Sequence, residues 1–189
     1  MIRIALVGDM GAGKTYISGL FGCPIFKADE EVAKIYKKDK KFFKKIKKKI
    51  PKSFSTFPLR KAELIESILS NKNNLEKISQ IIHPLIRKKM NYFIKNNKNK
   101  KIVILDIPLF LENKLNKKKD IIVFIEPDKK KLKKKLKKRK NYNYLLIKKL
   151  RDHQLPLKIK KDKSDFIIKN DFTKKNAIKS VKKIKEQIK

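Results

Sequence analysis

Apolar residues along this chain form short continuous runs that alternate with longer stretches of mixed character. The runs occupy residues 2–7, 25–26, 102–107, 121–125 and 166–168. Continuous apolar runs of this length are typical of strands that are covered on both faces, as in a parallel sheet. The pattern predicts a three-layer α/β fold, in which helices lie on both faces of a parallel sheet.

The intervening stretches place apolar residues at helical spacing. Helices are predicted over residues 59–70 and 75–94, from Pro127 onward, and over residues 173–188. Pro84 has no N–H to donate inside the second of these helices, so we expect it to kink that helix or divide it at His83. Pro127 suits the first turn of the third helix, where an N–H would have no partner.

A glycine-rich turn directly follows the first apolar run. Residues 8–15 read Gly-Asp-Met-Gly-Ala-Gly-Lys-Thr, which matches the phosphate-loop pattern G-x-x-x-x-G-K-[ST]. Between a buried strand and a helix, the N–H groups of such a turn converge on a polyphosphate, with the lysine on the terminal phosphates and the hydroxyl on Mg²⁺. The sequence therefore predicts a nucleoside triphosphate bound at Gly11, Ala12, Gly13, Lys14, Thr15 and Tyr16.

The distribution of glycine separates the classes of protein that carry this loop. All five glycines lie within the first 22 residues. A GTPase needs a later D-x-x-G switch and an N-K-x-D motif, and an ABC-type ATPase needs a signature loop that contains glycine. Neither set is present, and what remains is a small kinase in which a bound substrate receives the phosphoryl group.

Composition narrows the choice of partner and compartment. The 189 residues suffice for one domain with its own core. The net charge of +36 comes mostly from lysines. Their distribution along the whole chain disfavours a nucleic-acid partner, but the positive charge attracts anionic substrates.

The single cysteine, Cys23, fits a reducing compartment. Without a signal peptide or an apolar stretch of about 18 residues, we expect a cytoplasmic protein that is not bound to membranes.

Phosphoryl transfer also requires an acidic partner for Mg²⁺, a base beside the acceptor hydroxyl and cations over the migrating group. Asp106 ends the third predicted strand, where its carboxylate would approach the loop and bind Mg²⁺ together with Thr15. Asp29 follows the second predicted strand, where it could take the proton of an acceptor hydroxyl. The alternatives are a turn aspartate at Asp106 and an N-cap aspartate at Asp29 for a helix over residues 30–36.

Arg139 is a candidate for the required cation. It is one of only five arginines, and it lies in the stretch 129–140, where ten of twelve residues are basic. Its planar guanidinium can bind phosphate oxygens at two points, so we expect Arg139 to close over the triphosphate on a mobile segment. The alternative is a solvated arginine on a basic helix face.

Further short elements follow one another in a characteristic order. They read Ala28-Asp29, Leu-Arg-Lys-Ala-Glu-Leu at 59–64, His-Pro-Leu-Ile at 83–86, Asp-Ile-Pro-Leu-Phe-Leu-Glu-Asn at 106–113, Gln-Leu-Pro-Leu-Lys at 154–158 and Ser-Asp-Phe-Ile-Ile-Lys-Asn at 164–170. Together with the phosphate loop, these elements follow the order found in the dephospho-CoA kinases, and the resemblance covers residues 1 to about 185. Sequences of that family have a Q-x-P-x-x-x-K stretch near their end. The resemblance implies ATP-dependent phosphorylation of the ribose 3′-hydroxyl of dephospho-CoA, the last step of coenzyme A synthesis, with Mg²⁺ and ATP.

The resemblance also implies roles for particular residues. Asp29 is then the base on the 3′-hydroxyl, Arg139 is the lid cation, and Asn170 lies towards the adenine of ATP. The acceptor side comprises Arg60, His83, Pro108, Leu109 and Glu112. For His83 the alternative is a cap on the helix break at Pro84.

One departure from the family pattern concerns a second arginine. Many relatives carry arginine four residues before the glutamine that is Gln154 here, and this chain has Leu150 at that position. Lys149 and Arg151 are the candidate replacements, and the alternative is that this contact is absent.

The sequence as a whole predicts one P-loop kinase domain over residues 1–189. A helical acceptor-binding region covers about residues 32–96, and a lid covers about residues 127–150. Two other functions stay open: a kinase for a nucleoside monophosphate or another small molecule, and an ATPase stimulated by nucleic acid, which only the +36 charge suggests.

Overall fold

Five parallel strands form the centre of the molecule. The computed structural model describes residues 1–71, 73–138 and 143–188. The strands are β1 (Ile2–Gly8), β2 (Ile25–Lys27), β3 (Ile102–Asp106), β4 (Ile121–Pro127) and β5 (Phe166–Asn170), in the order β2-β3-β1-β4-β5. Each neighbouring pair is parallel, so the predicted parallel sheet is confirmed.

Helices cover both faces of this sheet. They are α1 (Lys14–Leu20), α2 (Ala28–Lys38), α3 (Lys40–Lys49), α4 (Lys61–Ser70), α5 (Asn74–Asn96), α6 (Lys129–Lys137), α7 (Tyr144–Asp152), α8 (Leu157–Asp162) and α9 (Lys174–Gln187). Alternate residues of β1 face opposite sides: Ala5 and Val7 join a core with α2 to α5, whereas Ile4 and Leu6 join a core with α1 and α9. The arrangement has the three predicted layers.

The register of the sheet brings the ends of β1, β2 and β3 together at the side of the sheet where the strands have their carboxyl ends. Strand β1 lies in the middle, so Gly8 at its end emerges between β3 and β4. Lys27 at the end of β2 pairs with Asp106 at the end of β3. Because the carboxyl ends of parallel strands form the ligand-binding crevice in open α/β sheets, this side is where a site is expected.

Two predictions about the starts of helices are wrong. Pro127 ends β4, where it pairs with Asn170, and α6 begins at Lys129 because the carboxylate of Asp128 accepts a hydrogen bond from the N–H of Lys131 at 2.9 Å. Strand β2 runs directly into α2, which begins at Ala28. Asp29 therefore lies in the first turn of α2, and its N-cap alternative is excluded.

Pro84 does not divide its helix. It lies inside α5, which is continuous from Asn74 to Asn96. The loss of one backbone hydrogen bond is offset because a stripe of apolar side chains stays buried on both sides of the proline; they are Ile78, Ile82, Ile86 and Met90. With no helix break at His83, the alternative role of His83 as a cap is also excluded.

Among the described residues, none of the helices is long and apolar enough to cross a membrane.

Candidate active site

The phosphate loop joins β1 to α1 in a conformation that requires glycine. Gly13 has φ +94° and occupies the N-cap of α1. A Cβ at Gly13 would lie 2.6 Å from Nδ2 of Asn170, and one at Gly11, with φ +79°, would lie 2.8 Å from the side chain of Leu136. Side chains at these positions would meet both backbone strain and steric overlap. Gly13 has no side chain that could cap α1, so the first N–H groups of α1 are available to a phosphate.

Lys14 is held over this loop by backbone carbonyls. Its Nζ donates to the carbonyl oxygens of Gly8 at 3.1 Å and Asp9 at 2.8 Å. Burial lowers the pKa of Lys14 below its ordinary value, and the negative charges of Asp106, Asp9 and Asp29 oppose that shift. The loss of hydration strengthens the attraction of this ammonium group for a polyanion, whereas the neighbouring carboxylates weaken it.

Thr15 and Asp106 offer oxygen ligands near Lys14. Thr15 is exposed in the first turn of α1, and Asp106 is buried at the end of β3. In the described part of the chain, no group of three or more His, Cys, Asp or Glu residues could hold a metal by itself. A hydroxyl and a carboxylate are hard oxygen donors that fit Mg²⁺, which typically takes its remaining ligands from phosphates and water.

A cavity of about 150 Å³ opens beside this cluster, between α2, α5 and the segment after β3. Asp29, His83, Pro108 and Leu109, four of the residues assigned to the acceptor side, line it. Most of the remaining wall is apolar, from Val32, Ile82, Ile86, Met90, Ile107 and Leu115. Sequence reasoning missed the polar wall residues Tyr36, Arg87 and Asn113, because no spacing in the sequence relates α2, α5 and the segment after β3 to one another.

The carboxylate of Asp29 connects the cavity to the phosphate loop. Its side chain stays accessible from the cavity, yet the surrounding protein removes part of its hydration, which raises the pKa of Asp29. The negative charge of Asp106 raises this pKa further, and the positive charge of Lys14 lowers it. A carboxylate with a raised pKa is a stronger base than an ordinary aspartate.

Two further ionisable groups of the cavity, Tyr36 and His83, are neutral near pH 7. Burial and the nearby charge of Asp29 raise the pKa of Tyr36 to about 12, so its phenol keeps its proton. Partial burial and the positive charge of Arg87 lower the pKa of His83 below its ordinary value, so its imidazole is uncharged. Among these groups Asp29 supplies the negative charge and Arg87 the positive charge.

Three of the residues singled out from the sequence lie away from the cavity wall. Arg60 precedes α4, and its Nη2 donates to Oγ1 of Thr56 at 3.2 Å. The carboxylate of Glu112 accepts a hydrogen bond from the N–H of Leu155 at 3.1 Å. The Nδ2 group of Asn170 donates to the carbonyl of Ala12 at 2.8 Å, inside the phosphate loop. Their substrate contacts stay predictions, and Arg139 lies outside the described residues.

Lys160 was missed in the sequence. Its side chain is fully buried, forms an ion pair with Glu112 at 2.6 Å, and donates to Oε1 of Gln154 at 3.0 Å. Its positive charge also acts on Lys14. In a chain with 54 lysines and arginines, composition does not single it out. The Q-x-P-x-x-x-K spacing from Gln154 was the signal that could have found it.

The two candidate replacements for the arginine that is Leu150 here lie in different places. Nζ of Lys149 donates to the carbonyls of Ile68 and Leu69, both at 2.9 Å, at the end of α4. Arg151 instead reaches Asp9 in the phosphate loop, at 2.8 Å. Of the two candidate replacements, Arg151 is the residue beside the loop.

A phosphate loop at the centre of a parallel sheet, with a cavity nearby and a carboxylate between them, defines a P-loop kinase for small molecules. A sequence model of the dephospho-CoA kinases matches residues 2–176. The chain belongs to the dephospho-CoA kinase family.

Individual relatives agree with this assignment. The chain is 29% identical to the dephospho-CoA kinase of Wolbachia sp. subsp. Brugia malayi, over 98% of this chain and 97% of the relative. It is 34% identical to that of Bartonella henselae over 65% of each chain. The solved dephospho-CoA kinase of Campylobacter jejuni has the same fold, with a TM-score of 0.63 and 22% identity over 98% of this chain and 96% of that one. A protein from Thermus thermophilus has a TM-score of 0.77 at 16% identity over the same shares.

Proposed function

We propose that this chain transfers the γ-phosphoryl group of ATP to the ribose 3′-hydroxyl of dephospho-CoA, with coenzyme A and ADP as products. Family membership supplies the kinase class and the use of ATP. The observation that carries the acceptor side is the position of Asp29, which lines the cavity while its carboxylate interacts with Lys14 and Asp106. One group thus faces both proposed substrate sites.

On the donor side, the loop from Gly8 to Thr15 would hold the triphosphate through its N–H groups and Lys14. Thr15 and Asp106 are the residues that would hold Mg²⁺. The ion would neutralise part of the phosphate charge when bound. Lys14 would stabilise the additional charge on the oxygens of the migrating phosphoryl group.

On the acceptor side, Asp29 would orient the 3′-hydroxyl and receive its proton. The hydroxyl oxygen forms a bond to the γ-phosphorus while the bond from that phosphorus to the β–γ bridging oxygen breaks, and ADP leaves. The raised pKa of Asp29 suits this role, because proton acceptance is more favourable for a stronger base.

The lining of the cavity supports a nucleoside acceptor. The reacting ribose of dephospho-CoA carries adenine, so its base lies close to the 3′-hydroxyl. Ile82, Ile86 and Met90 offer an apolar wall for a flat ring, while His83 and Arg87 offer polar contacts. The net charge of +36 would attract both polyanionic substrates.

Two larger regions complete the proposal. Residues 32–96, which include most of α2 and all of α3 to α5, form the acceptor-binding region beside the cavity. Residues 127–150, which include α6 and most of α7, form a lid that brings Arg139 over the triphosphate and excludes water.

The test is an assay of ADP formation by the purified chain with Mg·ATP. Dephospho-CoA is one acceptor, and a panel of nucleoside monophosphates provides the comparison. The proposal predicts turnover with dephospho-CoA and formation of its 3′-phosphate, identified by mass. Turnover of a nucleoside monophosphate without turnover of dephospho-CoA would overturn it, as would ATP hydrolysis that rises only with added RNA or DNA.

A further inference from the structure

Asp9 and Arg151 form a two-point contact across the mouth of the phosphate loop. Nε of Arg151 donates to Oδ1 of Asp9 at 3.1 Å, and Nη2 donates to Oδ2 at 2.8 Å. The N–H of Met10 also donates to Oδ1 of Asp9, at 2.7 Å. The two residues are 142 positions apart in the sequence. Their charge-assisted hydrogen bonds therefore connect α7 to the phosphate loop.

The carboxylate of Asp9 lies where a triphosphate would be repelled. Asp9 is the second residue of the loop, its backbone carbonyl accepts a hydrogen bond from Nζ of Lys14, and the negative charge of its side chain acts on Lys14. In a phosphate loop that ammonium reaches the terminal phosphates. A carboxylate near the same position opposes the binding of a polyanion unless a cation compensates it.

Arg151 supplies that cation and keeps donors available. The contact with Asp9 uses two of the five N–H donors of a guanidinium. The Arg151 side chain is 42% exposed, whereas that of Asp9 is 13% exposed. This contact thus buries the carboxylate more than the guanidinium, and a side of the guanidinium stays accessible to a ligand.

The backbone of Arg151 is fixed independently of Asp9. Lys149, two residues earlier in α7, donates to the carbonyls of Ile68 and Leu69 at the end of α4. The removal of the Asp9 carboxylate is therefore expected to release the Arg151 side chain without displacing α7.

We propose that Asp9 is a positioning residue, which holds the guanidinium of Arg151 at the phosphate loop as a second cation, in addition to Lys14, for the terminal phosphate of ATP. This inference rests on the proposed use of ATP and is independent of the acceptor. A contact that only stabilised the fold would change the free energy of unfolding in the same way as a positioning contact. The test therefore measures the affinity for nucleotides.

The experiment is calorimetric titration of Mg·ATP and Mg·ADP into the native chain, Arg151→Gln, Asp9→Asn and the double variant, at fixed salt. Arg151→Gln is expected to weaken ATP binding by about tenfold and ADP binding by less than about threefold, because ADP lacks the terminal phosphate. Asp9→Asn is expected to weaken ATP binding in the native chain, because Arg151 is released. In the Arg151→Gln background the same change is expected to strengthen ATP binding, because an uncompensated carboxylate is removed.

The reversal of sign is the decisive result. Strengthening of ATP binding by Asp9→Asn in both backgrounds would overturn the proposal, since Asp9 would then only repel the nucleotide. Equal losses of ATP and ADP affinity in Arg151→Gln would overturn it as well. Lys161→Gln, which removes a partly exposed ion pair with Glu126, is the matched control and is expected to leave both affinities unchanged. No acceptor is present in these titrations, so their failure is distinct from a failure to phosphorylate dephospho-CoA.

Discussion

The ammonium of Lys160 and the carboxylate of Glu112 form an ion pair at 2.6 Å, in which the lysine side chain is fully buried. The pair joins α8 to the segment that follows β3, and that segment also contributes Pro108 and Leu109 to the cavity. A fixed ion pair at this position holds the cavity wall against the side of the molecule that carries the phosphate loop.

Removal of Lys160 is therefore expected to be costly. Lys160→Met leaves Glu112 with a largely buried and unpaired charge, and we expect a loss of about 3 kcal/mol in the free energy of unfolding. Urea denaturation measures this loss. Lys161→Met changes the next residue of the same helix, which forms only a partly exposed ion pair, and is expected to cost less than about 1 kcal/mol. Equal effects of the two changes would contradict a special role for Lys160.

The proposed base is tested by a change that keeps its shape. Asp29→Asn is expected to lower kcat with dephospho-CoA by about 10²- to 10⁴-fold, because the amide cannot accept the proton. The affinity for ATP is expected to change little, and calorimetry measures it separately. Glu30→Gln alters the adjacent exposed residue, which pairs only with Lys27 in the described chain, and is expected to retain activity. Near-native turnover of Asp29→Asn would refute the role.

The same change is expected to stabilise the fold near pH 7. The pKa of Asp29 is raised in the folded chain, so the folded state binds the Asp29 proton more tightly than the unfolded state does. Stability from this group is present below the unfolded pKa and is lost as the pH rises through the folded pKa. The charged carboxylate thus opposes folding at neutral pH, and asparagine removes that penalty.

Urea denaturation of the native chain and Asp29→Asn, from pH 7 down towards pH 4, measures this effect. The variant is expected to be the more stable protein at pH 7, and the difference is expected to shrink as Asp29 becomes protonated. A native chain that is more stable than the variant at pH 7 would show that the pKa of Asp29 is lowered on folding.

Asn170 has two possible roles, support of the phosphate loop and a contact with the adenine of ATP. Its Nδ2 group binds the carbonyl of Ala12 and its Oδ1 accepts from the N–H of Phe172, at 2.8 and 2.9 Å. These bonds support the phosphate loop, whereas the family resemblance implies a place near adenine. Asn170→Ala is expected to weaken binding of ATP and of inorganic tripolyphosphate by a similar factor, which calorimetry measures. Loss of ATP affinity with normal tripolyphosphate binding would favour a contact with the base.

Much of the fold was predictable because its signals are local. The five apolar runs correspond to the five strands, since a strand buried on both faces needs consecutive apolar residues. The first residues of the helices were harder to predict. Pro127 pairs with Asn170 and so belongs to β4, and Asp128 is therefore the cap of α6. The preference of proline for the first turn of a helix did not decide the structure at Pro127, because its strand partner Asn170 lies more than 40 positions away in the sequence.

The candidate site was predictable in part for the same reason. Asp29, Lys14 and Asp106 each follow or lie next to a predicted strand end, and parallel strands bring such ends together. Arg151 and Lys160 lie on helices far along the chain, and the sequence holds 54 lysines and arginines. The Q-x-P-x-x-x-K spacing could have singled out Lys160, but no pattern in the sequence indicates which carboxylate either cation meets.

The sequence by itself determined the phosphate loop, the strands that surround it and the family to which the chain is similar, because these depend on neighbouring residues and on the order of short elements. Only the tertiary structure decided which charged groups meet. The pairs Asp9–Arg151 and Glu112–Lys160 depend on how α7 and α8 pack against the rest of the fold. The energy of an ion pair depends on distance and burial, and neither is contained in the spacing of residues along the chain.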